Sequence, residues 1–144
     1  MKNWFKLMLL SLACVAFAAC DDQQEVNPNP QLEVTPNNIA GEWELLSYDA
    51  GATLPEGCYV RISFERKDRT YTLCQNTDSF TEHTLTGSYN ILTDPTLGSI
   101  LVGNYDYNGG EWAHRYIVRS LTAAQMVWVA KDAPEQVQVF SRKK

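Results

Sequence analysis

The stretch Cys58-Tyr59-Val60-Arg61-Ile62-Ser63-Phe64-Glu65 is followed by Arg66-Lys67-Asp68, then by Arg69-Thr70-Tyr71-Thr72-Leu73-Cys74-Gln75. Two runs rich in aromatic and β-branched residues thus flank a short polar connection. Val60, Ile62 and Phe64 share one parity, and Tyr71 and Leu73 share one in the next run. Side chains of a strand point alternately to its two faces, so each run predicts one buried face. A connection this short forces antiparallel neighbours. The hairpin that results sets Phe64 opposite Tyr71.

The same texture recurs on both sides of this hairpin. From Ile39 onward no stretch sustains a helical period for three turns. Eight strands are predicted, at Gly41–Tyr48, Cys58–Glu65, Arg69–Gln75, Thr84–Leu92, Leu97–Tyr105, Glu111–Leu121, Gln125–Lys131 and Gln136–Arg142. Lys67-Asp68, Asn108-Gly109-Gly110 and Asp132-Ala133-Pro134 supply tight turns. In the sixth strand Trp112, His114, Tyr116 and Val118 share a face, with Arg115 and Arg119 opposite. Eight half-buried strands in this order predict an all-β fold, a small antiparallel up-and-down barrel that leaves no free edge. An open two-sheet sandwich is the competing arrangement. The interior of an eight-stranded barrel is either just filled by side chains or just large enough for one small ligand.

Length and composition set the outer bounds. The chain has 144 residues, 44% hydrophobic and 20% charged, which suits one globular domain and excludes a TIM barrel or a two-domain dinucleotide enzyme. It carries 12 basic and 17 acidic residues, a formal −5. Loss of the two leader lysines takes this to −7. An acidic surface repels phosphate backbones, so nucleic acid is not an expected partner. The basic clusters Arg66-Lys67-Asp68-Arg69 and Arg142-Lys143-Lys144 read as a solvated turn and a solvated tail.

The N-terminus carries an address. Lys2 and Lys6 precede an apolar run of 13 residues, Leu7 to Ala19. That is shorter than the ~20 residues of a membrane-spanning helix and fits the apolar region of a secretory signal. The run ends Phe17-Ala18-Ala19-Cys20, followed by Asp21-Asp22. This resembles the lipobox of bacterial lipoproteins, which implies removal of residues 1–19 and lipid modification of Cys20. Plain secretion with Cys20 unmodified is the alternative. More than one acyl chain gives a stable anchor. Residues 20–38, rich in Asp, Gln, Asn and Pro, read as an extended tether, and 39–144 as the folded domain. Acidic residues directly after the cysteine are similar to the surface-export signals of Bacteroides-type lipoproteins. That resemblance implies an exported protein anchored through Cys20 to the outer membrane, with cell-surface exposure as one address, whereas in other Gram-negative bacteria Asp directly after the cysteine implies inner-membrane retention; the sequence alone does not choose between these addresses.

A second resemblance concerns the domain. Its first strand opens Gly41-Glu42-Trp43 and its last closes Phe140-Ser141-Arg142. A Gly-x-Trp opening and a basic residue at the end of the last strand resemble the lipocalins, which implies that Trp43 closes the barrel base and Arg142 stacks on it. A guanidinium over an indole gains ~1 kcal/mol or more when partly desolvated. Tyr59–Gln75, Gly87-Ser88-Tyr89, Gly103-Asn104-Tyr105 and Asn108-Gly109-Gly110-Glu111-Trp112 are similar to the short lipocalin-like (calycin) domains of Bacteroides-type lipoproteins. So is the closing Val139-Phe140-Ser141-Arg142. The resemblance implies non-catalytic binding of a small apolar or amphipathic ligand. The expected lining is Val60, Ile62, Tyr71 and Leu73 from the first hairpin, with Tyr89, Trp112, His114 and Tyr116. The alternative is a filled barrel that docks a protein or glycan of the envelope through its loops. Tyr105, Tyr107 and Trp112 flank the Asn108-Gly109-Gly110 turn and would rim its mouth.

Other chemistry finds little footing. With Cys20 lipidated, Cys58 and Cys74 are left, and an exported chain favours pairing them. The hairpin register sets Cys58 near Thr77 and turns Cys74 to the outward face. A bulge or frayed strand end would be needed for a bridge, so bridge and separate thiols both stay open. No Cys or His pair has metal-ligand spacing, and no metal or cofactor is expected. His83 lies in a polar stretch. Glu111, Asp106 and His114 fall near one hairpin, where carboxylates are usually solvated. No Gly-x-Ser-x-Gly elbow and no phosphate-cradling glycine loop occurs, so the chain is not read as an enzyme.

Overall fold

In a computed structural model, which describes residues 29–49 and 51–144, the Cys58–Gln75 stretch forms the expected hairpin. Its strands are β2 (Tyr59–Phe64) and β3 (Thr70–Asn76). Phe64 pairs with Tyr71, and Ile62 with Leu73. The turn is held by the Glu65 carboxylate, which accepts hydrogen bonds from the Lys67 and Asp68 amides at 2.9 and 2.6 Å. Arg69 completes it at a φ of 58°.

The remaining elements are α1 (Pro36–Ile39), β1 (Gly41–Ser47), β4 (His83–Asp94), β5 (Gly98–Tyr105), β6 (Tyr116–Leu121), β7 (Gln125–Ala130) and β8 (Ala133–Arg142). The strands form a closed barrel in sequence order, every neighbour antiparallel, with β1 paired to β8 as well as to β2. The fold is therefore the all-β, eight-stranded up-and-down barrel, and closure excludes the open sandwich. Closure also removes both sheet edges.

Most strand ends fall within two residues of those read in the sequence, and two depart by more. β6 begins at Tyr116, not Glu111. The Trp112 indole leaves the strand path to lie against Gly103, where even a Cβ would stand 2.2 Å from the ring. The Trp112 amide bonds the Gly103 carbonyl at 2.8 Å, and regular β5–β6 pairing is limited to Ile100–Ile117 and Leu101–Tyr116. β8 starts inside the expected turn, because Ala133 pairs with Ala130.

The end of the barrel that holds the C-terminus is filled. Trp43, Phe64, Tyr89, Leu121 and Met126 are buried there with Ile39 of α1. Leu32 and Val34 pack against this cluster, and the Leu32 amide bonds the Leu121 carbonyl at 2.7 Å. Ordered packing thus begins ahead of the boundary expected at residue 39. The leader 1–19, Cys20 and the tether through Pro28 lie outside the described residues. Among the described residues no helix is long and apolar enough to cross a membrane.

The three matched base positions meet. Arg142 sits opposite Trp43 across the β1–β8 seam. Gly41, at a φ of 113°, leaves room for the guanidinium: a Cβ there would stand 3.0 Å from Nη1 of Arg142. The Trp43 indole donates to the Ile39 carbonyl at 2.9 Å.

Candidate functional site

The opposite end of the barrel encloses a cavity of about 430 Å³. Inward alternation on β1 to β3 supplies Leu45, Val60, Ile62 and Leu73 to its wall. Trp128 of β7 and Phe140 of β8 lie on its inner side, ring centroids 4.5 Å apart. Tyr48, Asp49 and Leu54, from the connection between β1 and β2, border its opening. Tyr105, Trp112 and Tyr116 add an aromatic stretch to the wall, with Ala113.

Trp128 is the hub of this aromatic group. Its ring lies 6.2 Å from Trp112 in a stacked pose, 5.1 Å from Tyr116 and 6.1 Å from Phe64. The residue is 3% exposed, yet its indole Nε1 has no hydrogen-bond partner among the described residues. An unpaired buried donor costs roughly 1–3 kcal/mol of desolvation. Three glutamines add neutral polar groups to the wall, Gln75 of β3 and Gln136 and Gln138 of β8. Gln138 faces Trp128 across the β7–β8 pair. Burial pushes the Tyr116 hydroxyl above its ordinary ionisation range, and interaction with Gln138 offsets part of that.

Five of the expected lining residues, Val60, Ile62, Leu73, Trp112 and Tyr116, border the cavity. Tyr71 and Tyr89 do not. Both are buried in the core, where the Tyr71 hydroxyl donates to the Asn104 carbonyl at 2.9 Å and accepts from the Trp112 indole at 2.8 Å. Tyr71 reaches Asn104 over Gly87, the one residue type that leaves the path open: a Cβ there would meet the Asn104 oxygen at 1.8 Å. The Tyr89 hydroxyl donates to the Glu65 carbonyl at 3.0 Å. These bonds fix both phenols as packing groups.

His114 also lies off the cavity wall. It precedes β6, so strand alternation does not govern it, and its Nδ1 stands 2.6 Å from the Asp132 carboxylate. That contact holds the Asp132 carboxyl below its usual range. Asp106 is engaged elsewhere, accepting from the Thr86 hydroxyl at 2.9 Å. Cys58 and Cys74 are separate free thiols. Cys74 sits within the hairpin opposite Arg61, whereas Cys58 precedes β2, and no bridge joins them. Among the described residues no three His, Cys, Asp or Glu side chains converge as metal ligands.

The glutamines of β8 escape a reading by polarity. Val137 and Val139 share the apolar parity and invite an inward assignment. Instead Gln136, Gln138 and Phe140 face the cavity. Val137 joins an outer row with Val129, Ile117 and Ile100 across successive strand pairs. The signal available was Phe140, whose parity is that of the glutamines.

The chain matches no family model, no curated protein and no solved structure.

Proposed function

We propose that this protein is a non-catalytic lipoprotein of the cell envelope that binds a small apolar or amphipathic molecule inside its barrel. The observation that carries the reading is the cavity itself. At about 430 Å³ it exceeds the ~300 Å³ at which small-molecule sites begin. Its walls are largely aliphatic and aromatic, with a few polar groups, the usual make-up of a site that binds by burial and orients by hydrogen bonds. The filled opposite end, capped by α1, Trp43 and Arg142, makes the barrel a cup with one opening. The resemblance to lipocalins favours the same use.

The address completes the proposal. A lipid on Cys20 would hold the barrel at the outer membrane, with the tether carrying it clear of the surface. A second reading, docking of an envelope protein or glycan, draws on Phe80 and Tyr107, which are 89% and 70% exposed. Exposed aromatics of this size commonly serve as contact anchors.

Native mass spectrometry of the protein purified from its own host's envelope tests the first reading. A retained small molecule that leaves on unfolding is the expected result and gives the ligand's mass. A clean apo mass turns the proposal toward the loop-docking reading.

A further inference from the structure

We propose that the cavity takes an organic cation, a small molecule with a quaternary or protonated ammonium group on an apolar body, and turns away carboxylates, sulfonates and phosphates. The proposal rests on the binding of a small molecule in this cavity and names that molecule's charge.

Three observations lead to it. The first is the charge of the wall. Among the described residues no Lys, Arg or His borders the cavity, and its one charged side chain is the exposed Asp49 at the opening. Gln75, Gln136 and Gln138 are polar but neutral. An anion drawn inside would lose its hydration with no counter-charge to replace it. A cation finds a carboxylate at the entrance, and amides and phenols carry oxygens that accept from an ammonium group.

The second observation is the aromatic stretch. Tyr105, Trp112 and Tyr116 border the cavity and are only half-buried, so each keeps accessible surface. The Trp112 and Tyr116 rings lie 6.2 Å apart, inclined at 61°. Tyr48 adds a further ring at the opening. The face of an aromatic ring is electron-rich, so it attracts a cation and repels an anion, and Trp does so most strongly. The aliphatic wall from β1 to β3 suits the apolar body of the same molecule.

The third observation is the field around the opening. In an up-and-down barrel alternate connections lie at the same end. The four at the open end, β1–β2, β3–β4, β5–β6 and β7–β8, carry seven carboxylates against the two cations Arg115 and Lys131. The filled end is the reverse. There the β2–β3 turn and the residues after β8 set Arg66, Lys67, Arg69, Lys143 and Lys144 against Glu65 and Asp68. A low-dielectric mouth ringed by one sign of charge focuses its field and concentrates the opposite ion. The acids alone would mark no site; the cavity they surround supplies it.

Three probes with one naphthyl body test the charge: (naphthylmethyl)trimethylammonium, naphthylmethanesulfonate and the uncharged naphthylmethanol. Each is titrated into the purified full chain at neutral pH and followed by nuclear magnetic resonance, at low and at high salt. The ammonium compound is expected to bind about tenfold or more tighter than the sulfonate at low salt, a margin within reach of partly desolvated cation–π contacts. Salt is expected to narrow that margin and to leave naphthylmethanol unmoved. Asp49→Asn is expected to weaken the ammonium compound about two- to fivefold, the span of an exposed charge pair, with naphthylmethanol again unmoved. Asp49 sits at a φ of 49°, a conformation asparagine adopts readily, so the variant keeps its turn. Equal or tighter binding of the sulfonate, or ammonium binding indifferent to both salt and Asp49→Asn, overturns the proposal. Binding of naphthylmethanol then leaves the carrier reading standing. No binding of any of the three overturns both.

Discussion

The Arg142 guanidinium lies 4.2 Å over the Trp43 ring, and the two residues are opposite each other on the first and last strands. This one contact ties the ends of the folded chain together. Arg142 also donates to the carbonyls of Ala40, Asn38 and Ala123 at 2.6, 2.7 and 2.9 Å. The last strand, the entry to the first and the β6–β7 turn are thereby pinned to one planar group. Only a guanidinium has donors in the fixed fork this needs.

Truncating either partner should open the base. Trp43→Ala removes a fully buried indole and should lower stability by about 3–5 kcal/mol in urea melts, as for other large core truncations. Arg142→Lys keeps the charge but loses the fork, and should still lower the urea midpoint. A neutral result for both variants would remove this contact from the set that holds the barrel closed.

Tyr71 carries a relay between two strands and a loop. Tyr71→Phe leaves the Trp112 indole without its acceptor and the Asn104 carbonyl without its donor. A loss of about 1–3 kcal/mol is expected, together with a shifted Trp112 environment in near-ultraviolet circular dichroism. An unchanged spectrum and midpoint would show that the ring alone positions Trp112.

Acid should loosen the turns before the barrel. The Glu65 carboxyl is held low by the Asp68 and Lys67 amides, Asp94 by Leu97 and Thr96, and Asp78 by Thr81 and Phe80. A carboxyl lowered in the folded state contributes stability above its unfolded value, lost as pH falls through the folded value. Urea midpoints should therefore be flat above about pH 5 and fall below it. Asp94→Asn keeps an acceptor oxygen but cannot titrate, so it should flatten that fall. An equally steep acid limb in the variant would place the proton uptake elsewhere.

The two described cysteines should behave as independent thiols. Labelling of the unfolded chain without reductant should modify both Cys58 and Cys74, and reduction beforehand should change nothing. Labelling that appears only after reduction would show the two to be bridged.

Membrane attachment rests on Cys20 in the proposed function. Cys20→Ser should move the protein from the detergent-requiring membrane fraction into the soluble exported fraction. Continued membrane association of that variant would separate the anchor from this residue.

Much of the fold is local and was legible for that reason. Alternation in Val60-Arg61-Ile62-Ser63-Phe64 and the Lys67-Asp68 turn suffice for the first hairpin, down to Phe64 opposite Tyr71. The meeting of Gly41, Trp43 and Arg142 was not legible from local pattern, since it depends on closure of the last strand onto the first. The cavity wall was partly legible: Val60, Ile62 and Leu73 follow their strands' alternation, whereas Gln136, Gln138 and Trp128 complete it from the far side of the barrel.

Strand positions, their order and the faces of β2 and β3 follow from side-chain periods and turn residues, which act over a few neighbours. Which face of β8 looks inward does not, because Val137 and Val139 find apolar partners outside while Phe140 is drawn against Trp128. Trp112 and His114 share a parity that would put both inside. Packing on Gly103 takes Trp112 off the strand path, and His114 turns to Asp132. Such choices belong to contacts between distant segments. Burial and hydrogen-bond satisfaction settle them only once the barrel has closed.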